Sequence, residues 1–277
     1  MSPRHACIVG WPVAHSRSPI IHGYWLKKYA VEGSYTRRAV APGEELSFFG
    51  RLREEGLVGC NVTIPHKGAA LASAHASTES ARAVGVANTL WLEGDRLWAD
   101  NTDGAGFLQH LRATVPTFDP ASAVAILGAG GGARGVIHGL LQAGGREVRL
   151  FNRTRDRADA VARHFAGGVK AYDWHERADR SRDVGLLINA TSLGMQGAPA
   201  LEMPLAQLDA RCIVADLVYV PLETPLLAAA RERGLAAVDG LGMLLHQAVP
   251  GFKRWFGVTP EVTDELRAII VANIEGG

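Results

Sequence analysis

Residues 124–135 read VAILGAGGGARG, an apolar run that breaks into glycines before an apolar helical pattern resumes at Val136. This order predicts a strand, a tight turn and a helix. Gly128, Gly130 and Ala133 match the spacing G-x-G-x-x-G/A, in which small residues let the backbone turn and approach a pyrophosphate at the helix N-terminus. The stretch therefore predicts a dinucleotide-binding unit.

The next apolar run, residues 147–151, is followed by three closely spaced arginines, Arg153, Arg155 and Arg157. An NAD site usually has an acidic residue at this strand end to accept from the ribose 2′-hydroxyl, whereas a 2′-phosphate needs cationic donors. The guanidinium fork suits phosphate, so the arginines favour NADP over NAD. We interpret Asp156 as the acidic complement of a helix dipole. A solvated helix start is the alternative interpretation of the arginines.

The chain has 277 residues, of which 47% are hydrophobic and 21% charged, with a formal net charge of +1. It can bury a large core and is long enough for two domains. The near-neutral charge favours neither nucleic acid nor an anionic membrane as a partner. No apolar segment reaches the length of a membrane span, and no signal-peptide core precedes the first strand, so we expect a cytoplasmic protein.

The three cysteines, Cys7, Cys60 and Cys212, are far apart and lie within apolar runs. They are predicted to be buried thiols, since their number and spacing fit neither a disulfide framework nor a metal site.

Short apolar runs alternate with helical patterns over the first hundred residues and predict an α/β domain. Strands are expected at 6–9, 35–40 and 57–62, helices near 18–30 and 43–55, and a hairpin from the runs 86–91 and 96–100. A helix over 102–115 and a linker over 116–120 follow.

From Ser122 the alternation of strand and helix continues, with later strands expected at 184–189, 212–216 and 236–238. The pattern predicts a parallel sheet with right-handed crossovers. The remainder, from Gly240, contains two helical patterns split by residues 257–260 and no further strand.

Eight short motifs occur along the chain: His15-Ser16-Arg17-Ser18-Pro19, Asn61-Val62-Thr63-Ile64-Pro65-His66-Lys67, Asn88-Thr89-Leu90, Asn101-Thr102-Asp103-Gly104, Gly128-Ala129-Gly130-Gly131, Asn152-Arg153-Thr154, Asn189-Ala190-Thr191-Ser192 and Gly240-Leu241-Gly242-Met243. With these motifs, in this order, the chain resembles the shikimate dehydrogenase family over nearly its whole length.

The resemblance implies a two-domain α/β fold. Residues 1–103 and 241–277 would form an N-terminal α/β substrate domain to which the C-terminal helices return, and residues 104–240 a Rossmann-type, parallel-sheet NADP domain. The resemblance also implies an oxidoreductase, monomeric or homodimeric, that reversibly reduces 3-dehydroshikimate to shikimate with NADPH in aromatic amino acid biosynthesis. The partner is then a small-molecule substrate, and no metal is required.

By the same resemblance, the shikimate-binding residues would be Ser16, Ser18, Thr63, Lys67, Asn88, Asp103, Tyr219 and Gln247. The serines and Tyr219 would hold the carboxylate. The NADP-binding residues would be Gly128, Ala129, Gly130, Gly131, Gly132, Asn152, Arg153, Thr154, Arg157, Leu217, Gly240, Met243 and Glu79. Two residues of each set also have a simpler structural interpretation. In the shikimate set, Ser18 could be a helix N-cap before Pro19 and Asn88 a strand-end turn residue. In the NADP set, Met243 could be a core filler and Glu79 could lie on a solvated helix face.

Lys67 and Asp103 are the catalytic residues that the resemblance implies. A lysine just after an apolar strand is ordinarily a surface residue, and the pairing with Asp103 makes proton transfer plausible. During reduction the ammonium of Lys67 would protonate the carbonyl oxygen and stabilise the developing alkoxide. We assign Lys67 the principal acid/base role and Asp103 a binding and orienting role, with titration as a coupled pair as the alternative. His66 and His246 adjoin these positions and receive no catalytic role.

Three other functions stay open. A quinate or dual quinate/shikimate dehydrogenase shares the architecture, although the pair Ser16 and Ser18 favours shikimate. A folate-linked methylene dehydrogenase has a similar two-domain form but lacks the serine and Asn101–Asp103 motifs. A non-catalytic NADP-binding sensor could use the same fold, because fold alone does not establish chemistry.

Overall fold

The computed structural model describes residues 3–276 and divides into two compact units. The first extends to Thr102 and includes Leu245–Ile270, and the second comprises Asp103–Leu244 and the chain from Val271. These limits differ from the predicted domain boundaries, 1–103 with 241–277 and 104–240, in three places. Asp103 opens a helix of the second unit, Met243 packs on the second unit's core, and Ile274 lines a surface groove with residues 194–200 and 220–225.

The first unit contains a mixed six-stranded sheet in the order β2-β1-β3-β5-β6-β4. Its elements before Thr102 are β1 (Arg4–Gly10), α1 (Ser18–Lys28), β2 (Gly33–Ala39), α2 (Glu45–Gly50), β3 (Leu57–Val62), α3 (Lys67–Ser73), β4 (Ala76–Ser77), α4 (Glu79–Val84), β5 (Thr89–Glu93) and β6 (Arg96–Asp100). β1 is parallel to β2 and β3, and β5 is antiparallel to β3 and β6, so the predicted hairpin is confirmed.

Two predictions in this unit were too long, and one strand was missed. The helix expected over 43–55 is only six residues long, and the strand expected from residue 86 begins at Thr89. β4 has two residues, too few to produce a periodic pattern. Apolar residues on one side of the sheet, including Cys7, Val9, Phe49, Cys60 and Leu90, form a core.

The second unit contains a six-stranded sheet in the order β12-β11-β10-β7-β8-β9, with every neighbouring pair parallel. Its elements are α5 (Asp103–Thr114), β7 (Val124–Leu127), α6 (Gly131–Gln142), β8 (Val148–Asn152), α7 (Arg155–His164), β9 (Val169–Asp173), β10 (Leu186–Asn189), β11 (Ile213–Asp216), α8 (Pro225–Glu232) and β12 (Ala236–Val238). The order is that of the Rossmann fold, which confirms the predicted parallel sheet. β9 was missed because this edge strand, VKAYD, buries only its first residue and so lacks an apolar run.

α5 and α6 pack closely on one face of this sheet. A Cβ placed on Gly139 would lie 2.9 Å from the carbonyl oxygen of Gly104, so only glycine permits this approach. The last two helices are α9 (Gly240–Phe256) and α10 (Asp264–Glu275), as the pattern after Gly240 predicts.

All three cysteines are buried free thiols. Over residues 3–276 no cluster of histidine, cysteine or acidic side chains is suited to a metal ion. In the same described range, no helix has the length and apolar character needed to cross a membrane.

Candidate active site

The glycine turn links buried β7 to α6. Gly128 has φ of +107°, and a Cβ there would lie 2.8 Å from the carbonyl oxygen of Ala190. Both observations require glycine. Gly130 is the N-cap of α6 and brings no side chain to the helix end, while a Cβ on it would meet no atom within 4 Å. The first-turn amides of α6 are thus arranged as in an anion-binding helix terminus.

Asn152, at the end of β8, ties this turn to the next helix. Its Oδ1 accepts a hydrogen bond from Ala129 N at 3.2 Å, and its Nδ2 donates to Thr154 O at 2.8 Å. Thr154 is the N-cap of α7, and Asp156 lies in the first turn, as its interpretation as helix chemistry requires. Asn152 therefore holds the glycine turn and the start of α7, the segments predicted to bind the pyrophosphate and the 2′-phosphate, in one local arrangement.

The three arginines after β8 differ in their partners. Arg155 is ion-paired with Asp159 at 3.0 Å and with Asp173 at 3.1 Å. Arg153 and Arg157 are exposed, and neither forms an ion pair with another residue of the described range 3–276. Two cations are thus left available beside the glycine turn, which is the charge arrangement that a 2′-phosphate requires.

Leu217, which follows β11, lies close to the glycine turn and the start of α9. A Cβ on Gly132 would lie 3.5 Å from Leu217 Cδ1, and one on Gly240 only 2.5 Å from Leu217 O. Met243 is half-buried and packs on the core of the second unit, as expected for a core filler. This packing is compatible with a cofactor contact. Residues proposed for the pyrophosphate and the nicotinamide are thereby brought together within the second unit.

A buried polar network in the first unit joins Asn88, Thr102 and Gln247. Asn88 Nδ2 donates to Thr102 Oγ1 at 3.0 Å and to Gln247 Oε1 at 3.3 Å, and Thr102 Oγ1 donates to Gln247 O at 2.8 Å. All three side chains are less than 10% exposed. Asn88 is thus more than a strand-end turn residue. Thr102 was not among the predicted site residues, although it stands within the Asn101–Gly104 motif.

The end of β3 extends the same network. Asn61 Nδ2 donates to Thr89 Oγ1 at 3.2 Å, and its Oδ1 accepts from the Tyr35 hydroxyl at 2.6 Å. Thr63 is half-buried just past the strand, and Lys67, also half-buried, is the first residue of α3. Thr63 and Lys67, which carry a hydroxyl and an ammonium group, are thus four positions apart, between the end of β3 and the start of α3.

His66 is engaged in the structure of the first unit. Its ring is buried, with Nε2 2.7 Å from Val40 O and Nδ1 3.7 Å from Glu45. These contacts agree with its omission from the catalytic set.

Ser16, in the loop that precedes α1, and Ser18, the first residue of α1, are both buried. Ser18 N donates to Ser16 Oγ at 3.3 Å, and the Arg37 guanidinium donates to Ser16 O from Nε at 3.0 Å and from Nη2 at 2.6 Å. The alternative role of Ser18 as N-cap is wrong, because Arg17 holds the cap position and Ser18 is the first helical residue. The loop and the start of α1 thus offer two hydroxyls and a nearby guanidinium, groups that suit a carboxylate.

The remaining candidates lie at the starts of helices or after a strand. Asp103 is buried at the start of α5, and Tyr219 is half-buried three residues after β11; both belong to the second unit. Glu79 is exposed in the first turn of α4, where an acidic side chain complements the helix dipole. Its cofactor contact stays a prediction.

Comparisons with known proteins identify the family. The model of the shikimate dehydrogenase substrate-binding domain matches residues 8–90, that of shikimate/quinate 5-dehydrogenase residues 115–196, and that of the shikimate 5′-dehydrogenase C-terminal domain residues 240–267. A shikimate dehydrogenase (NADP(+)) of Azorhizobium caulinodans is 53% identical over 98% of this chain and 97% of its own length.

Solved structures give the same result. Shikimate 5-dehydrogenase of Thermus thermophilus, solved with NADP(H) and shikimate, has a TM-score of 0.87 and 32% identity, covering 98% of this chain and 99% of that one. Quinate dehydrogenase of Corynebacterium glutamicum, solved with NAD, has a TM-score of 0.90 and 26% identity, covering 98% and 99%. The chain belongs to the shikimate dehydrogenase family.

Proposed function

We propose that this protein reversibly reduces 3-dehydroshikimate to shikimate with NADPH, a step in aromatic amino acid biosynthesis. The observation that carries the substrate assignment is the buried polar set of the first unit. It combines the hydroxyls of Ser16 and Ser18 with the amides of Asn88 and Gln247, and the exposed Arg37 guanidinium binds the backbone oxygen of Ser16 next to it. These groups match a ligand that has one carboxylate and several hydroxyls, and the high identity to NADP-dependent shikimate dehydrogenases supports the same assignment.

Substrate binding follows from the chemistry of each side chain. Ser16 and Ser18, with Tyr219, hold the carboxylate. Thr63, Asn88, Asp103 and Gln247 bind ring hydroxyls, since amides and carboxylates can accept from a hydroxyl and amides can also donate to it.

Proton transfer is the task of Lys67. NADPH, when bound, supplies the hydride that reaches the carbonyl carbon. The Lys67 ammonium donates a proton to the carbonyl oxygen and stabilises the negative charge that develops there, and neutral Lys67 accepts that proton in the reverse direction. Asp103 binds and orients the reacting substrate.

Cofactor selection rests on the second unit. The turn Gly128–Gly132 holds the pyrophosphate, and Asn152, Arg153, Thr154 and Arg157 hold the 2′-phosphate end. Leu217, Gly240 and Met243 contact the nicotinamide, and Glu79 completes the proposed cofactor set. Arg153 and Arg157 are exposed and form no ion pair within residues 3–276, which supports NADP over NAD.

The test is a spectrophotometric assay of nicotinamide reduction with the purified protein, in which shikimate and quinate are each combined with NADP and NAD. Turnover with shikimate and NADP that greatly exceeds the other three combinations supports the proposal. Faster turnover with quinate would favour the second candidate function, quinate dehydrogenase. The similarity to the quinate dehydrogenase structure of Corynebacterium glutamicum supports this candidate. NADPH binding without turnover on either acid would favour a sensor.

A cytoplasmic location and a monomeric or homodimeric state are also part of the proposal. Sedimentation equilibrium distinguishes one 29.5 kDa chain from two. Cell fractionation with antibody detection tests the location.

A further inference from the structure

Asp216, the last residue of β11, has a buried carboxylate that accepts hydrogen bonds from three donors. It is 1% exposed. Its Oδ1 accepts from Asn189 Nδ2 and from Val218 N, both at 2.9 Å, and its Oδ2 accepts from Thr224 Oγ1 at 2.8 Å. Burial raises the pKa of Asp216 to about 6, against the opposite effect of these hydrogen bonds. Burying a carboxylate costs free energy, so we ask which parts of the structure its hydrogen bonds fix in place.

Two of the three donors, Val218 and Thr224, lie at the two ends of one loop, residues 217–224. Val218 stands at its beginning. Thr224 ends it and also serves as the N-cap of α8, where its Oγ1 accepts from Leu227 N at 3.3 Å. One carboxylate therefore fixes both ends of the loop.

Asn189 connects Asp216 to the neighbouring loop after β10. Its Oδ1 accepts from Thr191 N at 3.0 Å and from Thr191 Oγ1 at 2.7 Å, and its Nδ2 also donates to Leu193 O at 3.0 Å. The two loops that follow β10 and β11 are thus joined through a single carboxylate. Only a carboxylate has two oxygens that can accept from all three donors at once.

The bracketed loop carries two residues of the proposed reaction. Leu217, assigned to the nicotinamide, lies near Gly132 and Gly240, and Tyr219, assigned to the substrate carboxylate, follows two residues later. We infer that Asp216 is a positioning residue for turnover, which holds the 217–224 loop in the shape that presents Leu217 to the cofactor and Tyr219 to the substrate. The inference rests on the proposed function and assigns Asp216 no contact with either ligand.

The test compares Asp216→Ala, Asp216→Asn and a stability control, Leu186→Ala, with the parent chain. Leu186 is wholly buried at the opposite end of the sheet, where β10 begins, so its truncation weakens the core without touching the loop. Steady-state kinetics with shikimate and NADP give kcat and KM. Binding of 2′,5′-ADP reports on the Arg153 end of the cofactor site, and hydrogen exchange of peptides that cover 217–224 reports on the loop.

We expect Asp216→Ala to lower kcat at least tenfold, raise KM for shikimate and speed exchange in the loop, with 2′,5′-ADP binding within twofold of the parent. Leu186→Ala should lower the melting temperature with kcat, KM and loop exchange nearly unchanged. Asp216→Asn keeps an acceptor for Val218 N and Asn189, so it should recover much of the lost kcat.

Two results would overturn the inference. The first is an Asp216→Ala variant whose kinetics and loop exchange match those of Leu186→Ala, with an active parent. The second is a parent that binds 2′,5′-ADP without oxidising shikimate, which contradicts the proposed function and this role together.

Discussion

Hydrogen bonds join Asn88 and Thr102 in both directions: Asn88 Nδ2 donates to Thr102 Oγ1 at 3.0 Å, and Thr102 N donates to Asn88 Oδ1 at 3.0 Å. The bonds determine which end of the Asn88 amide is the donor and which is the acceptor. The Asn88 amide is therefore held in one orientation, and a substrate hydroxyl binds it by replacing one of its present hydrogen-bond partners. We therefore expect Thr102 to affect substrate binding, although it is not itself assigned to the substrate.

Thr102→Val should weaken shikimate binding. The change keeps the shape of the side chain but removes a hydroxyl that bonds both Asn88 and Gln247, and loss of a buried partner costs about 1–3 kcal/mol. We expect KM for shikimate to rise about tenfold, the equivalent of roughly 1.4 kcal/mol. Thr102→Ser, which retains the hydroxyl, should stay near the parent value. A KM equal in all three proteins would show that the network does not prepare the site.

Lys67→Ala should reduce kcat far more than it weakens binding. Positioned acid/base groups contribute about 10²- to 10⁴-fold to rate, and we expect a loss in that range. Lys67→Arg is the informative companion because it keeps the positive charge but cannot release a proton near neutral pH. If proton transfer is the role of Lys67, the arginine variant stays slow. Restored kcat in that variant, or weaker binding at unchanged kcat in the alanine variant, would assign Lys67 an electrostatic or binding role.

Arg153→Ala should weaken the use of NADP with little effect on NAD. Loss of a hydrogen bond between charged groups costs about 1.5–3 kcal/mol, so we expect KM for NADP to rise about 10- to 100-fold. Arg155→Ala is a matched control two residues away, because its guanidinium is already paired with Asp159 and Asp173. Measured KM values for both cofactors decide the matter. Equal effects of the two substitutions would mean that general positive charge, and no specific phosphate contact, attracts the cofactor.

The parts of the fold that could be predicted are those encoded by neighbouring residues. The turn at Gly128 follows from glycine spacing, because the strand, the turn and the helix are consecutive in the chain. β9 could not be predicted in this way, since an edge strand that buries only one of its five residues has no apolar periodicity. Similarly, α2 is short because only Phe48 and Phe49 are buried within it.

The contacts within the candidate site are harder to predict from the sequence than the strands and helices, because they join residues far apart in the chain. Asn88 and Gln247 are 159 positions apart and meet only because the first unit includes part of α9. The motif drew attention to Asn88, but the contribution of Thr102 depends on hydrogen-bond directions that no spacing reveals. Asp216 was missed for another reason. As a single acidic residue at a strand end it resembles any turn-forming aspartate, and only its burial and its three donors distinguish it.

His22 provides a prediction about acid stability. Its ring is wholly buried in α1, stacked on Tyr35 with centroids 3.9 Å apart and surrounded by Trp25, Phe252 and Trp255. Burial in these aromatic surroundings lowers the pKa of His22 from 6.5 to about 3.

The unfolded chain therefore takes up a proton at this residue near pH 6.5, while the folded chain resists it until about pH 3. The stability that neutral His22 contributes is complete above pH 6.5 and is lost as the pH falls from 6.5 toward 3. Between pH 7.5 and 4.5 this loss amounts to about 2–3 kcal/mol in the free energy of unfolding. His22→Phe preserves the ring stacking and removes the titration, so its stability should fall less steeply over this range.

Denaturant unfolding at pH 7.5, 6 and 4.5 measures the difference, with exposed His15→Ala as the control that should follow the parent at each pH. Carboxylates that titrate below pH 5 affect all three proteins alike, so comparison of the three curves isolates the histidine. The parent midpoint should fall relative to that of His22→Phe as the pH decreases. Curves for the parent and His22→Phe that stay parallel from pH 7.5 to 4.5 would show that His22 is not the group that makes this fold sensitive to acid.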